Sequence, residues 1–252
     1  MSQRRPLIAG NWKMYKTWKE AAETASRLAD LIRDVKDVDI MIAPSFTSLA
    51  PVSEVLEGSP VSLGAQTLHF EEEGAFTGEI SPGMISACGC THVIIGHSER
   101  RQYFGETDET VNRRIACAVK HRLVPVFCIG ETEKERDEEK TMIVLDKQVK
   151  DGLKGLDFDA LRDLVIAYEP VWAIGTGKTA TPDQVQEVHA FLRSLISDMY
   201  GSEFAGKTRI IYGGSVKPAN ISELMALSDV DGALVGGASL SADSFAEIIR
   251  YH

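Results

Sequence analysis

The sequence predicts a single (β/α)8 barrel domain over residues 1–252, and three observations predict it. Eight short apolar runs recur from end to end, helix-period segments lie between them, and no linker or composition break divides the chain. The runs are LIA at 7–9, IMIA at 40–43, VSLGA at 61–65, VIIG at 93–96, VPVFCI at 124–129, LVIAY at 164–168, IIY at 210–212 and ALV at 233–235. They are apolar throughout rather than alternating, as strands covered on both faces should be. After the first run, Thr17 and Glu20 are spaced as a capping box, with Trp18, Ala21, Ala22, Ala25, Leu28, Ala29 and Ile32 on one helix face. After the sixth, Thr181 as N-cap, Pro182 at N1 and Gln184 at N3 open a helix whose apolar side runs through Val185, Val188, His189, Leu192 and Leu195. The mixed-charge run from Glu131 to Lys140 reads as a solvated helix face laced with i,i+4 pairs. An open doubly wound sheet is the structural alternative, and the lack of a G-x-G-x-x-G turn after any early run counts against it.

Composition narrows the function. The chain has 27 basic and 37 acidic residues and a net charge of −10, which argues against a nucleic-acid or anionic-membrane binder with a basic face. No apolar run approaches the roughly 20 residues that span a bilayer. The apolar segment after Arg4 and Arg5 is too short for a signal peptide. Cys88, Cys90, Cys117 and Cys128 include no C-x-x-C pair, and Cys88-Gly89-Cys90 has no second ligand pair to complete a metal site. Reduced thiols in an intracellular protein are the plainer reading.

The chemistry-bearing residues fall at the C-terminal ends of the strands, where α/β barrels carry their sites. The stretch AYEPVWAIGTGKTATP at 167–182 runs an apolar strand into a carboxylate, Glu169, which Pro170 then stops. A loop bearing Gly175 and Gly177 follows and can act as a lid that desolvates the carboxylate into a stronger base. Asn11 and Lys13 lie two residues apart after the first strand, so their side chains point the same way if the chain stays extended. His97 closes the fourth strand. Each alone has a bland reading: Asn11 as a turn cap, Lys13 as a surface lysine, His97 as a structural hydrogen-bonding group, and Glu169 as an ordinary loop residue. Gly213-Gly214-Ser215 and Gly236-Gly237-Ala238-Ser239 follow strands seven and eight, where this fold repeatedly binds phosphate, and Gly175 can add an N–H from the lid. Tight turns are the alternative use of those glycines. A base, an imidazole, an ammonium, an amide and an anion nest, with neither a metal cluster nor a strong nucleophile, suit proton transfer beside a carbonyl in a small phosphorylated sugar.

Five segments in the same order, AGNWKM at 9–14, GHSERR at 96–101, AYEPVWAIGTGKTATP at 167–182, YGGSV at 212–216 and GALVGGAS at 232–239, give the chain a resemblance to the triosephosphate isomerase family over nearly its whole length. The resemblance implies interconversion of glyceraldehyde 3-phosphate and dihydroxyacetone phosphate through an enediolate, in glycolysis and gluconeogenesis, with no cofactor. It implies Glu169 as base, His97 as the group that polarises the carbonyl and moves protons between the oxygens, and Lys13 and Asn11 as stabilisers of the enediolate charge. A neutral imidazole and lid closure over the base are family properties that come with the resemblance. Glu99 is expected to support His97 or relay protons. A cytoplasmic homodimer is also implied, formed through the loop from Gln66 to Glu79, with Thr77 near the neighbouring site. Thr67 and Tyr15 stand where the family often has Asn, near that expected contact rather than among the reacting groups. Two other readings compete. A Schiff-base aldolase would need a desolvated lysine within the strand runs, and none is present. A binding module that kept the scaffold would be expected to lack the four reactive residues.

Overall fold

Strands that are apolar on both faces have no side to offer water, so the sheet they form must be covered outside and closed inside. The computed structural model describes residues 4–175 and 177–252. Its strands are β1 (Leu7–Asn11), β2 (Asp39–Ala43), β3 (Val61–Ala65), β4 (His92–Ile95), β5 (Val124–Ile129), β6 (Val165–Tyr168), β7 (Arg209–Tyr212) and β8 (Gly232–Val235). All neighbours pair in parallel in chain order, and β1 also pairs with β8, so the sheet is a closed barrel and the open alternative is excluded. The helices used below are α1 (Trp18–Leu31), α2 (Ser98–Phe104), α3 (Glu133–Asp137), α4 (Thr141–Gly152) and α5 (Pro182–Tyr200).

Side chains alternate across a strand with period two, and that parity decides what fills the barrel. Leu7, Ala9, Met41, Ala43, Ile94, Val126, Cys128, Val165, Ala167, Ile211 and Leu234 form the inner cluster. Ile8, Ile40, Ile42, Val93, Ile95, Phe127, Ile166 and Ile210 belong to a second, outer layer shared with the helices. The inner parity brings Asn11, the last residue of β1, and Glu169, the first residue after β6, to the barrel mouth.

The helices follow their caps. In α1 the box at Thr17 and Glu20 is formed from both sides, and Ala21, Ala25 and Leu28 are buried at i, i+4 and i+7. Trp18 is the exception to the expected face. At the first helical position it lies beyond the core edge, half exposed, with the Lys19 ammonium 5.4 Å from its ring centroid. In α5 the Thr181–Gln184 box closes as expected, and His189 is buried with the apolar face. The run from Glu131 to Lys140 divides: α3 is capped by Thr132 and carries the Lys134–Glu138 pair, whereas Glu131 precedes the helix and is fully buried. The four cysteines are free thiols. Among the described residues, no helix is long and apolar enough to cross a membrane.

The buried His189 sets an acid limit on stability. Its Nδ1–H faces the Asp229 carbonyl at 3.2 Å, its ring meets the edge of Tyr168, and burial pushes its pKa down to about 4. The unfolded chain therefore binds a proton there near pH 6.5 that the folded chain refuses until about pH 4. The contribution of His189 is complete above pH 6.5 and is lost as pH falls toward 4, amounting to about 3 kcal/mol. Denaturant titrations across that window should give a flatter acid limb for His189→Leu than for the parent, whatever the variant's absolute stability. Equal slopes would reject the assignment.

Candidate active site

Glu169 follows β6 directly and is 2 % exposed. Burying a carboxylate costs several kcal/mol unless fixed donors replace water. Two donors do so: the Ser98 N–H meets Oε2 at 2.9 Å, and His97 Nε2 meets Oε1 at 3.0 Å. Both come from the start of α2, where free N–H groups and the helix dipole favour an anion. The fourth strand ends earlier than its apolar run suggests. Gly96 leaves it with φ +74°, a left-handed conformation, and His97 becomes the N-cap of α2 rather than its last strand residue. A Cβ at Gly96 would also sit 3.0 Å from Val111 Cγ2 and 3.2 Å from the Cys128 carbonyl oxygen. The turn breaks strand parity and swings His97 toward Glu169.

The tautomer of His97 follows from its partners. Nδ1 accepts the Glu99 N–H at 3.3 Å, so the ring proton lies on Nε2, facing Glu169. Burial opposes the imidazolium, but the charge and hydrogen bond of Glu169 favour it, and the His97 pKa is raised. Burial likewise pushes Glu169 up, yet His97, the Ser98 N–H and Lys13 outweigh it and hold the carboxyl below its ordinary value.

Asn11 and Lys13 do reach the same cavity, but not by an extended chain. Lys13 has φ +51°, a conformation that costs about 1–3 kcal/mol in a non-glycine residue. Its N–H donates to Asn11 Oδ1 at 3.0 Å. Gln66 Nε2 donates to the Lys13 carbonyl at 2.7 Å and to the Ala43 carbonyl at 2.9 Å. The Lys13 ammonium then reaches Glu99 Oε1 at 2.6 Å.

These groups line one cavity of about 360 Å³, with Gly175 above and Gly213, Gly214, Ser215, Gly236 and Gly237 along its wall. A Cβ on Gly213 would lie 2.8 Å from Glu169 Cγ, so only glycine leaves room for the carboxylate side chain. The Ser239 N–H and hydroxyl both donate to the Gly236 carbonyl, folding 237–240 into a tight 3-10 turn against the pocket. Each expected site residue is in this wall except Glu99, which stands behind Lys13 and His97. Tyr15, Lys217 and Leu240 also line it and were not anticipated. Tyr15 thus belongs to the pocket as well as to the region of the expected dimer contact.

The entrance to the lid rests on Glu131. Its Oε1 accepts from Arg136 at 2.9 Å, from the Tyr168 hydroxyl at 3.1 Å and from Trp172 Nε1 at 2.9 Å. The Glu131 carbonyl accepts the Val171 N–H at 3.1 Å. Thr176, within the loop read as a lid, lies outside the described residues. The tip of the loop from Gln66 to Glu79 is exposed, Thr77 included, and its base is tied by the His69 N–H to the Ile80 carbonyl. Among the described residues, no group of three or more His, Cys, Asp or Glu side chains is placed to hold a metal ion.

Comparison with known proteins gives a consistent result. The family model described as triosephosphate isomerase matches residues 6–252. The triosephosphate isomerase of Carboxydothermus hydrogenoformans is 57 % identical over 247 residues, covering 98 % of each chain. That of Geotalea uraniireducens is 54 % identical over 248 residues, covering 98 % of this chain and 99 % of its own. The crystal structure of triosephosphate isomerase from Bartonella henselae superposes with a TM-score of 0.89 at 40 % identity, covering 98 % of each chain.

The buried carboxylate of Glu131 accepts from three side chains, so its deletion tests the whole junction. Glu131→Ala removes the shared acceptor of a guanidinium, a phenol and an indole N–H, and should destabilise the fold by about 3–5 kcal/mol in chemical denaturation. A loss below about 1 kcal/mol would show that the three donors find other partners.

Proposed function

The chain belongs to the triosephosphate isomerase family, whose reaction interconverts D-glyceraldehyde 3-phosphate and dihydroxyacetone phosphate, and on that premise we propose which residues carry each step. The phosphate sits against the backbone of Gly175, Ser215, Gly236 and Gly237, with Lys13 as its nearest cation. Glu169 turns from the Ser98 N–H to the carbon beside the carbonyl and removes its proton. The electrons move to the carbonyl oxygen, forming an enediolate, and Glu169 returns the proton to the neighbouring carbon. His97 donates from Nε2 to the oxygen that gains charge and moves protons between the two oxygens. Lys13 and Asn11 stabilise the negative charge where it develops. Glu99 holds the Lys13 ammonium and, through its N–H, the tautomer of His97.

The observation that carries this reading is the 3.0 Å approach of His97 Nε2 to Glu169 within the cavity that also holds Lys13. Glu169 is the larger of the two carboxylates that raise His97, Glu99 being the other. Once the carboxylate turns toward substrate, burial, Lys13 and the accepting role of Nδ1 favour the neutral ring, which can donate and recover its Nε2 proton. The lid residues Ala173, Ile174 and Gly175 line the cavity, and their closure over a bound substrate would exclude water. That protects a phosphorylated enediolate from losing phosphate.

The protein is proposed to work in the cytoplasm as a homodimer. Phe76 in the 66–79 loop, Met14 and Tyr15 beside Lys13, and Met84 are large apolar side chains left exposed. Their exposure supports an interface on these segments, since a contact site buries side chains of this kind.

Two measurements test these proposals. In a coupled isomerase assay, Glu169→Gln should fold like the parent and lose about 10²–10⁴-fold in kcat. A variant retaining most of the parent's turnover would remove Glu169 from the role of base. Sedimentation equilibrium should give twice the mass of one chain. A fully active species with the mass of a single chain would exclude the dimer as a requirement.

A further inference from the structure

We infer that Lys217 recruits the anionic substrate, supplying the long-range attraction that Lys13 is not free to provide; the inference rests on the proposed phosphate-bearing substrate. Lys13 and Lys217 are the two ammonium side chains on the cavity wall. The first is already committed, because its Nζ lies 2.6 Å from Glu99. Glu169 adds a second carboxylate, this one on the cavity wall, to that of Glu99 behind Lys13. Without Lys217 the site would present two carboxylates against one ammonium, inside a chain whose net charge is −10. A phosphate ester approaching such a mouth would meet net repulsion until its short-range hydrogen bonds formed.

Lys217 is built to offset this. Its side chain is exposed, and among the described residues no carboxylate lies in ion-pair range of its ammonium. The backbone beneath is fixed on both sides. The Lys217 N–H donates to Asn220 Oδ1 at 2.8 Å, and the Lys217 carbonyl accepts the N–H of Asn220 at 3.1 Å and of Ile221 at 3.2 Å. Asn220 Nδ2 in turn donates to the Ser215 carbonyl at 3.0 Å, tying Lys217 to the phosphate-side loop. Pro218 restricts the next bond. The result is an uncompensated charge on a flexible stem at the rim of the cavity. Such a charge acts over about a Debye length, 8–10 Å at moderate salt, and raises the encounter rate rather than the rate of the bond-making step.

The experiment compares the parent, Lys217→Gln and Lys217→Arg across a series of ionic strengths, reading kcat, KM and the inhibition constant of inorganic phosphate. At low salt Lys217→Gln should lose about three- to tenfold in kcat/KM through KM, with a matching loss of phosphate affinity and kcat unchanged. The gap should close as salt rises, and Lys217→Arg should behave as the parent. Identical salt dependence in parent and Lys217→Gln overturns the inference, as does a loss confined to kcat or a failure of Lys217→Arg to restore affinity. A folded parent that lacks isomerase activity, but whose phosphate affinity still drops in Lys217→Gln at low salt, supports the recruiting role and overturns only the reaction.

Discussion

A carboxylate kept from water must be solvated by the protein, and the pair of donors on Glu169 is the interaction on which the rest of the site depends. The Ser98 N–H and His97 Nε2 take the place of water at 2.9 and 3.0 Å. Neither would be in place without the left-handed turn at Gly96, which ends β4 and starts α2 one residue before its free N–H groups face the barrel mouth. Nor would the carboxylate fit without Gly213, where any side chain would collide with its Cγ. Two glycines and one helix start thus determine where the base sits.

Positive charge at the site is arranged under a comparable constraint. The chain as a whole repels anions, so binding one requires cations and N–H groups held in advance rather than recruited. Lys13 illustrates the cost. Its backbone is strained, and the strain is offset by Asn11, Gln66 and Glu99, each of which pins a different atom of the residue. Fixing the ammonium to Glu99 gives precision at short range and cancels its field at long range. A rigid, paired lysine and a loose, unpaired one are therefore not redundant, because a single side chain cannot satisfy both requirements.

The sequence made the barrel legible because eight runs are apolar on both faces, and only burial inside and out explains that pattern. Asn11 and Glu169 were legible for the same reason, since parity carried to the strand end for Asn11, and one residue beyond it for Glu169, aims them inward. His97 was not legible by parity. The Gly96 turn reverses its direction, and only the motif around it marked it. Glu131 was hidden in a run of ten charged or polar residues, where one fully buried carboxylate looks like its exposed neighbours. Its one local signal was position, directly after the glycine that ends β5, before the Thr132 cap. Gln66, Tyr15 and Lys217 were missed because their roles depend on distant backbone: a carbonyl 53 positions away for Gln66, and the cavity wall for the other two.

The placement of Glu131 also explains how a short loop can cover the site without loosening the barrel. At its start, Val171 and Trp172 are tied to Glu131 through a backbone and a side-chain hydrogen bond, so the strand-to-lid junction shares the rigidity of β5. At its far end, the reciprocal Thr181–Gln184 bonds fasten the chain to α5. Ala173, Ile174 and Gly175, the lid residues on the cavity wall, lie between these two anchors. A change of shape confined between them alters the cover of the cavity while leaving the strand ends, and so Glu169, in place. Fixed ends limit the number of conformations the loop can sample, which lowers the entropic cost of closing it over a substrate. The fold thus separates two demands that conflict in one segment: a fixed backbone from which the base turns, and a cover that must admit and release a ligand.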